Sequence, residues 1–224
     1  MSLLPSVKIC CISSHEEAAL AIKYGAAAIG LVGPMPSGPG IISNEQIAAI
    51  VKTIPPPIAT FLLTSKTSVQ GIVKHHQKVQ TNTLQLVDTL QEGTYAELRK
   101  ALPTIMLVQV IHVLGPAAIK EAIVISKEVD AILLDSGNPN LSIKELGGTG
   151  RTHNWQISRA IKEAVNIPIF LAGGLKPSNV QAAIETVQPF GLDLCSGVRT
   201  NGQLDEVKLK AFFEQIKVKG RENL

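Results

Sequence analysis

Eight short apolar runs, each followed by a segment of helical periodicity, limit what this chain can fold into. The runs are 7–12, 28–33, 58–63, 83–87, 105–113, 130–135, 167–172 and 191–196. They are rich in Val, Ile and Leu and nearly continuous in apolar character. That pattern belongs to strands covered on both faces, as in a parallel sheet with helices outside. Between them lie helical segments such as SHEEAALAIKYG, VQGIVKHHQKV, WQISRAIKEAV and DEVKLKAFFEQIK. Ser14, with Glu17 three residues on, makes a capping-box pattern, and Gly25 is placed to end that helix in a left-handed conformation. The next helix must stop before Pro55-Pro56-Pro57. Eight units in 224 residues leave about 28 residues for each strand, helix and pair of loops. The fold class implied is α/β: a compact (β/α)8 TIM barrel forming a single domain over residues 1–224. The rival, an open doubly wound sheet, loses support because no Gly-x-Gly-x-x-Gly follows the first run.

Composition narrows the function classes. Hydrophobic residues make up 45% and charged residues 17%, with a net charge of +3, which supports a sizeable core and excludes disorder. No apolar run reaches the roughly 18 residues of a membrane helix, and the start lacks a secretory pattern. Aromatics at 4% and scattered Lys and Arg argue against nucleic acid as a partner. The terminal KVKGRENL reads as a solvated basic tail. Three cysteines without C-x-x-C spacing fit a reducing, cytoplasmic setting. No metal-ligand spacing appears among the histidines, and His75-His76 reads as a polar helix surface. Cys10 and Cys11 are adjacent, and neighbours on a strand point to opposite faces, so they are not expected to serve one site. Whether the chain forms a homo-oligomer is left open.

In a barrel, chemistry belongs at the strand C-terminal ends. Cys10 lies near the end of the first run; it reads as a small core hydrophobe or, with a lowered pKa, as a base or nucleophile. Asp135 ends the sixth run directly after large apolar residues, where a carboxylate is expensive to bury without a task or a partner. It reads as a proton donor or as a loop cap. The seventh run opens into Gly173-Gly174 and the eighth into Ser196-Gly197, each ahead of a helix. Backbone amides at consecutive strand ends suit a phosphate. A long segment from Ser136 to Leu146 precedes Gly147-Gly148-Thr149-Gly150 and reads as a lid over a site.

Taken in order, Val7-Lys8-Ile9-Cys10, Leu133-Leu134-Asp135, Gly147-Gly148-Thr149-Gly150, Trp155, Leu171-Ala172-Gly173-Gly174-Leu175 with Asn179-Val180, and Asp193 with Ser196-Gly197-Val198 resemble the phosphoribosylanthranilate isomerase family of tryptophan biosynthesis. The resemblance implies an Amadori rearrangement of a phosphorylated aminosugar without cofactor or metal. Asp135 would be the general acid and Cys10 the general base. Gly173, Gly174, Ser196 and Gly197 would hold the phosphate, and Gln85 and Gly148 would contact the substrate. The chain departs from the family pattern at Cys11, where Gly is usual, and at Val87, where His is common. It also departs at His153, where Phe is usual, and at Gly40, where an Arg is expected to hold the anthranilate carboxylate. The last departure keeps two alternatives in play: a divergent paralogue acting on another phosphorylated sugar, and a barrel that binds a phosphorylated ligand without turnover.

Overall fold

All eight apolar runs become strands, parallel and in chain order. The computed structural model describes residues 4–141 and 144–221. The strands are β1 (Ser6–Ile9), β2 (Ala28–Val32), β3 (Ala59–Thr64), β4 (Thr83–Leu86), β5 (Met106–His112), β6 (Ala131–Asp135), β7 (Ile169–Leu171) and β8 (Gly191–Leu194). The helices are α1 (His15–Tyr24), α2 (Asn44–Val51), α3 (Val69–Val79), α4 (Tyr95–Ala101), α5 (Ala117–Ile125), α6 (Trp155–Ala164), α7 (Val180–Val187) and α8 (Glu206–Arg221). Strand β1 pairs with both β2 and β8, so the sheet closes into the expected TIM-type barrel and leaves no edge. A short antiparallel ribbon, Arg199–Thr200 with Gln203–Leu204, precedes α8. The basic C-terminal segment is helical through Arg221, so the expected solvated tail is in large part helix; its last three residues lie outside the described ones.

Strand alternation divides the core in two. Ile29, Leu31, Leu62, Leu84, Leu86, Leu107, Ile132 and Leu134 point outward and pack beneath Ile47, Ile72, Leu98, Ile161 and Val180 of the helices. Burying each such side chain contributes about 1.5–3 kcal/mol. The opposite parity fills the barrel with Ala28, Val32, Phe61, Leu63, Val108, Val110, Ala131, Leu133 and Phe170. Phe61 and Phe170 meet edge to face at 5.9 Å. Gly191 leaves room for them, because a Cβ there would lie 2.5 Å from the Phe170 ring.

The local signals act largely as expected. Ser14 caps α1 by accepting from the Glu17 amide, and Gly25 ends it at φ 113°. The capping box at Ser14 is only half formed, because the Glu17 carboxylate turns to Ser13 and Arg199 instead. The histidine pair departs from expectation. His75 and His76 are buried, not a surface: His75 Nε2 donates to Asn44 Oδ1 (3.0 Å) and Nδ1 accepts from the Thr64 hydroxyl (2.8 Å). His76 Nε2 donates to Thr81 O at 2.7 Å. Helix α3 is thereby latched to the start of α2, the end of β3 and the turn before β4.

Burial, with Lys66 and Lys78 nearby, holds His75 at about 4 against an ordinary 6.5, and burial does the same to His153. Below 6.5 the unfolded chain takes up these protons first, so stability is expected to fall as pH drops from 6.5 toward 4. Urea midpoints at about pH 7 and pH 5 measure this; an equal or higher midpoint at the lower pH contradicts it.

Candidate active site

Barrel parity explains which side chains reach the mouth. Lys8 and Cys10 on β1 and its exit, Gln85 and Val87 on β4 and its exit, Leu133 and Asp135 on β6, Ala172 after β7, and Asp193 and Cys195 on β8 and its exit all share the inward parity. Those nearest the strand C-terminal ends line one cleft of about 680 Å³, counted with its opening to solvent. It is the cleft that contains Cys10, Asp135, Gln85, Gly148, Gly173, Gly174 and Ser196, seven of the eight residues singled out in the sequence. The eighth, Gly197, stands behind the wall. A Cβ there would strike Leu175 O, so its role is to let the turns after β7 and β8 touch. Gly197→Ala is expected to cost about 1–3 kcal/mol by overpacking and to raise KM more than it lowers kcat. Denaturation together with steady-state kinetics checks this; wild-type stability and KM would contradict it.

Cys10 is buried and sits just past β1, its amide bonded to Leu194 O at 2.7 Å. Its thiol is held below the ordinary cysteine range. The adjacent Cys11 thiol, which itself donates to Pro39 O at 3.6 Å, contributes most to this, and the Lys8 ammonium adds to it against the opposing effect of burial. Lys8 is fully buried, bonded to Asp193 Oδ1 at 2.8 Å, with its ammonium 5.1 Å from the Phe61 ring centre. Burial alone would discharge it, but Asp193 and Cys10 keep it above its ordinary pKa. Gly30 makes room for both groups: a Cβ there would lie 2.7 Å from Cys10 Sγ and 3.0 Å from Lys8 Nζ. Asp135, at the end of β6, is buried and held above the carboxylate range mainly by desolvation. The Ser136 amide partly opposes this. The thiol and the carboxyl are thus moved in opposite directions from their ordinary values.

Cys11 corrects the sequence reading. Strand geometry ends at Ile9, and Cys11 takes φ 62°, so both adjacent cysteines turn toward the same cleft. Arg199 secures the turn, donating to Cys10 O (3.2 Å) and Cys11 O (2.6 Å) while paired with Glu17 at 2.7 Å. Cys195 donates to Cys11 Sγ at 2.7 Å. Lys8, Asp193 and Arg199 had no assigned role in the sequence. For Lys8 and Asp193 the available signal was charge at inward parity within apolar strands, which requires a partner.

The cleft's other walls are loops. Gly173 and Gly174 take φ 81° and 62°, conformations that suit glycine. Asn179 ties that turn together, accepting from the Lys176 amide and donating to Gly174 O. The segment carrying Gly147–Gly150 folds over the mouth. Ser37 Oγ donates to Lys144 O at 2.6 Å, and Gly148 packs so closely on Pro39 that a Cβ would lie 2.5 Å away. Gln85 Oε1 is buried without a partner, which leaves an acceptor for a bound molecule. At Gly40 a Cβ would lie 2.5 Å from Cys11 Cβ, so Cys11 fills the space a side chain there would need. No Lys or Arg lines the cleft among the described residues.

A sequence model for N-(5'-phosphoribosyl)anthranilate isomerase matches residues 7–215. The chain belongs to the phosphoribosylanthranilate isomerase family. Among relatives, isomerase 2 of Methanosarcina mazei is 35% identical, covering 94% of this chain and 93% of its own. The isomerase of Methanocella arvoryzae is 32% identical, with 95% and 98% covered. The crystal structure of the Thermotoga maritima isomerase superposes with a TM-score of 0.78 at 29% identity, covering 95% of this chain and 98% of that one. A family structure in complex with reduced 1-(o-carboxyphenylamino)-1-deoxyribulose 5-phosphate gives a TM-score of 0.76 at 27% identity, with the same coverage. The chain is therefore an isomerase of the aldose–ketose type. Among the described residues no helix is long and apolar enough to cross a membrane.

Proposed function

We propose that this isomerase catalyses the Amadori rearrangement of N-(5'-phosphoribosyl)anthranilate in the cytoplasm, with Asp135 as general acid and Cys10 as general base. The observation that carries the reading is the shared cleft: a lowered thiol from the exit of β1 and a raised carboxyl from β6 open into one space. Gly173, Gly174 and Ser196 stand along the same cleft. Protonated Asp135 delivers its proton to the furanose ring oxygen, the C1–O bond breaks, and a Schiff base forms. The Cys10 thiolate then takes the proton from sugar C2, giving an enolamine that tautomerises to the ketone. The redox change is internal to the substrate, so no external electron carrier enters. Phosphate held on the glycine turns after β7 and β8 supplies binding energy remote from the reacting carbons and fixes them near both groups. Gln85 and Gly148 contact the sugar and its aryl substituent.

The test is a fluorescence assay of the purified chain with freshly made phosphoribosylanthranilate, together with rescue of a tryptophan auxotroph that lacks this step. Turnover and rescue are expected. One observation favours a second reading: with Gly40 opposite Cys11 and no cationic side chain on the cleft wall among the described residues, none of these offers a positive charge to an anthranilate carboxylate. On that reading the substrate is a phosphorylated aminosugar without the carboxylate, and neither turnover nor rescue is seen.

A further inference from the structure

Three thiols meet at the cleft, although the isomerisation uses only one. Cys11 Sγ and Cys195 Sγ are 2.7 Å apart, both free, and both on the cleft wall. The chain brings them together through two features. Strands β1 and β8 are hydrogen-bonded neighbours, with Ile9 paired to Leu194, so the residues that follow leave the barrel side by side. The left-handed turn at Cys11 then swings its side chain back over β8. Arg199 holds the carbonyls of Cys10 and Cys11 and fixes that turn. Neighbouring strands lie about 4.8 Å apart, a separation that a disulfide spans without backbone movement. Cys195 is partly exposed, whereas Cys10 and Cys11 are buried.

We propose that Cys11 and Cys195 are a reversible oxidation site, and that their disulfide disarms Cys10. The oxidant is a peroxide. The Cys195 sulfur attacks one peroxide oxygen, the O–O bond breaks, and water leaves to give a sulfenic acid. The Cys11 sulfur then attacks the Cys195 sulfur; the S–S bond forms, the S–O bond breaks, and a second water carries away the Cys11 proton. Two thiols lose two electrons and one peroxide is reduced to two waters. Reduction by a dithiol reverses the step. The effect on Cys10 follows from the loss of the adjacent thiol: Cys11 lines the same cleft as Cys10, and once its sulfur is bonded to Cys195 it has no proton left to offer the Cys10 sulfur. A crosslink beside Ser196 also stiffens the turn assigned to the phosphate. This effect on turnover rests on the reading of Cys10 as the base; the disulfide itself does not.

The experiment treats the full reduced chain with hydrogen peroxide, alkylates the remaining thiols and maps the disulfide by fragmentation mass spectrometry. Cys10 and Cys11 share one tryptic peptide, so fragment ions must separate them. The expected product links Cys11 to Cys195 and leaves Cys10 alkylated. A second readout is the iodoacetamide rate at Cys10 near neutral pH. Losing the neighbouring thiol proton is expected to slow it about tenfold, with recovery in dithiothreitol. In Cys195→Ala, peroxide is expected to produce no dithiothreitol-reversible slowing. A link through Cys10, no link at all, or an unchanged Cys10 rate in the crosslinked protein overturns the proposal. If the crosslink forms and slows Cys10 alkylation while the reduced chain shows no isomerase turnover, the oxidation site stands and the assigned reaction fails.

Discussion

Cys10→Ala is expected to lower kcat/KM about 10²–10⁴-fold, the range for losing a positioned general base. That corresponds to about 3–5 kcal/mol of transition-state stabilisation. The folding cost is smaller, because the change removes one buried sulfur, worth roughly 1–2 kcal/mol, against a typical domain stability of 5–15 kcal/mol. Loss of activity and loss of fold are therefore separable, and a urea melt of the variant decides between them. Asp135→Asn is expected to lower turnover over the same range, since an amide of the same shape has no acidic proton to give. Cys11→Ala is expected to have a smaller effect than Cys10→Ala, since it removes the neighbouring thiol that lowers the Cys10 pKa and leaves the Cys10 sulfur in place. If Cys11→Ala and Cys10→Ala were equally damaging, the base would have to be reassigned to the thiol pair.

The same assignment fixes a pH dependence. Cys10 must be ionised, so kcat/KM is expected to fall as pH drops through its lowered pKa. Asp135 must be protonated, so activity is expected to fall as pH rises through its raised pKa. The profile of the wild-type chain is a bell, and Cys11→Ala is expected to move the limb that reports the Cys10 thiol to higher pH. A profile unmoved in that variant would separate the Cys11 thiol from Cys10.

Some of this was open in the sequence for a physical reason. Strand–helix alternation and the apolar runs specify a barrel because a strand buried on both faces has few other ways to be covered. Asp135 was legible because a carboxylate at the exit of an apolar strand needs a reason to be there. Gly173-Gly174 and Ser196-Gly197 were legible as a pair at consecutive strand ends, although only three of the four border the cleft. Cys11 was not legible. The face of a residue follows from strand parity only while the strand lasts, and β1 ends two residues before it. A single left-handed φ then reverses the direction of its side chain. His75 was misplaced for a different reason: its polarity is satisfied by Thr64 and Asn44, partners from other elements that helical periodicity does not register.

Lys8→Met is expected to destabilise the barrel by about 3–5 kcal/mol, the usual cost of breaking a buried ion pair by removing one partner. The pair lies inside the barrel, with Lys8 at 0% and Asp193 at 8% exposure, so water cannot take over from the missing ammonium. Met conserves most of the volume and keeps the contact with Phe61, so the cost isolates the charge. Lys8→Met with Asp193→Leu is expected to recover much of the loss, because two apolar groups leave no uncompensated carboxylate. Lys23→Met at the exposed pair with Glu206 is a control expected to change little, since both partners already face solvent. Chemical denaturation measures all four proteins. The double variant carries the functional point: if it regains stability yet its Cys10 reacts more slowly with iodoacetamide at neutral pH, Lys8 also serves the reaction by holding the thiolate. If alkylation matches wild type, the ion pair serves the barrel alone, and the Cys11 thiol is what keeps Cys10 ionised.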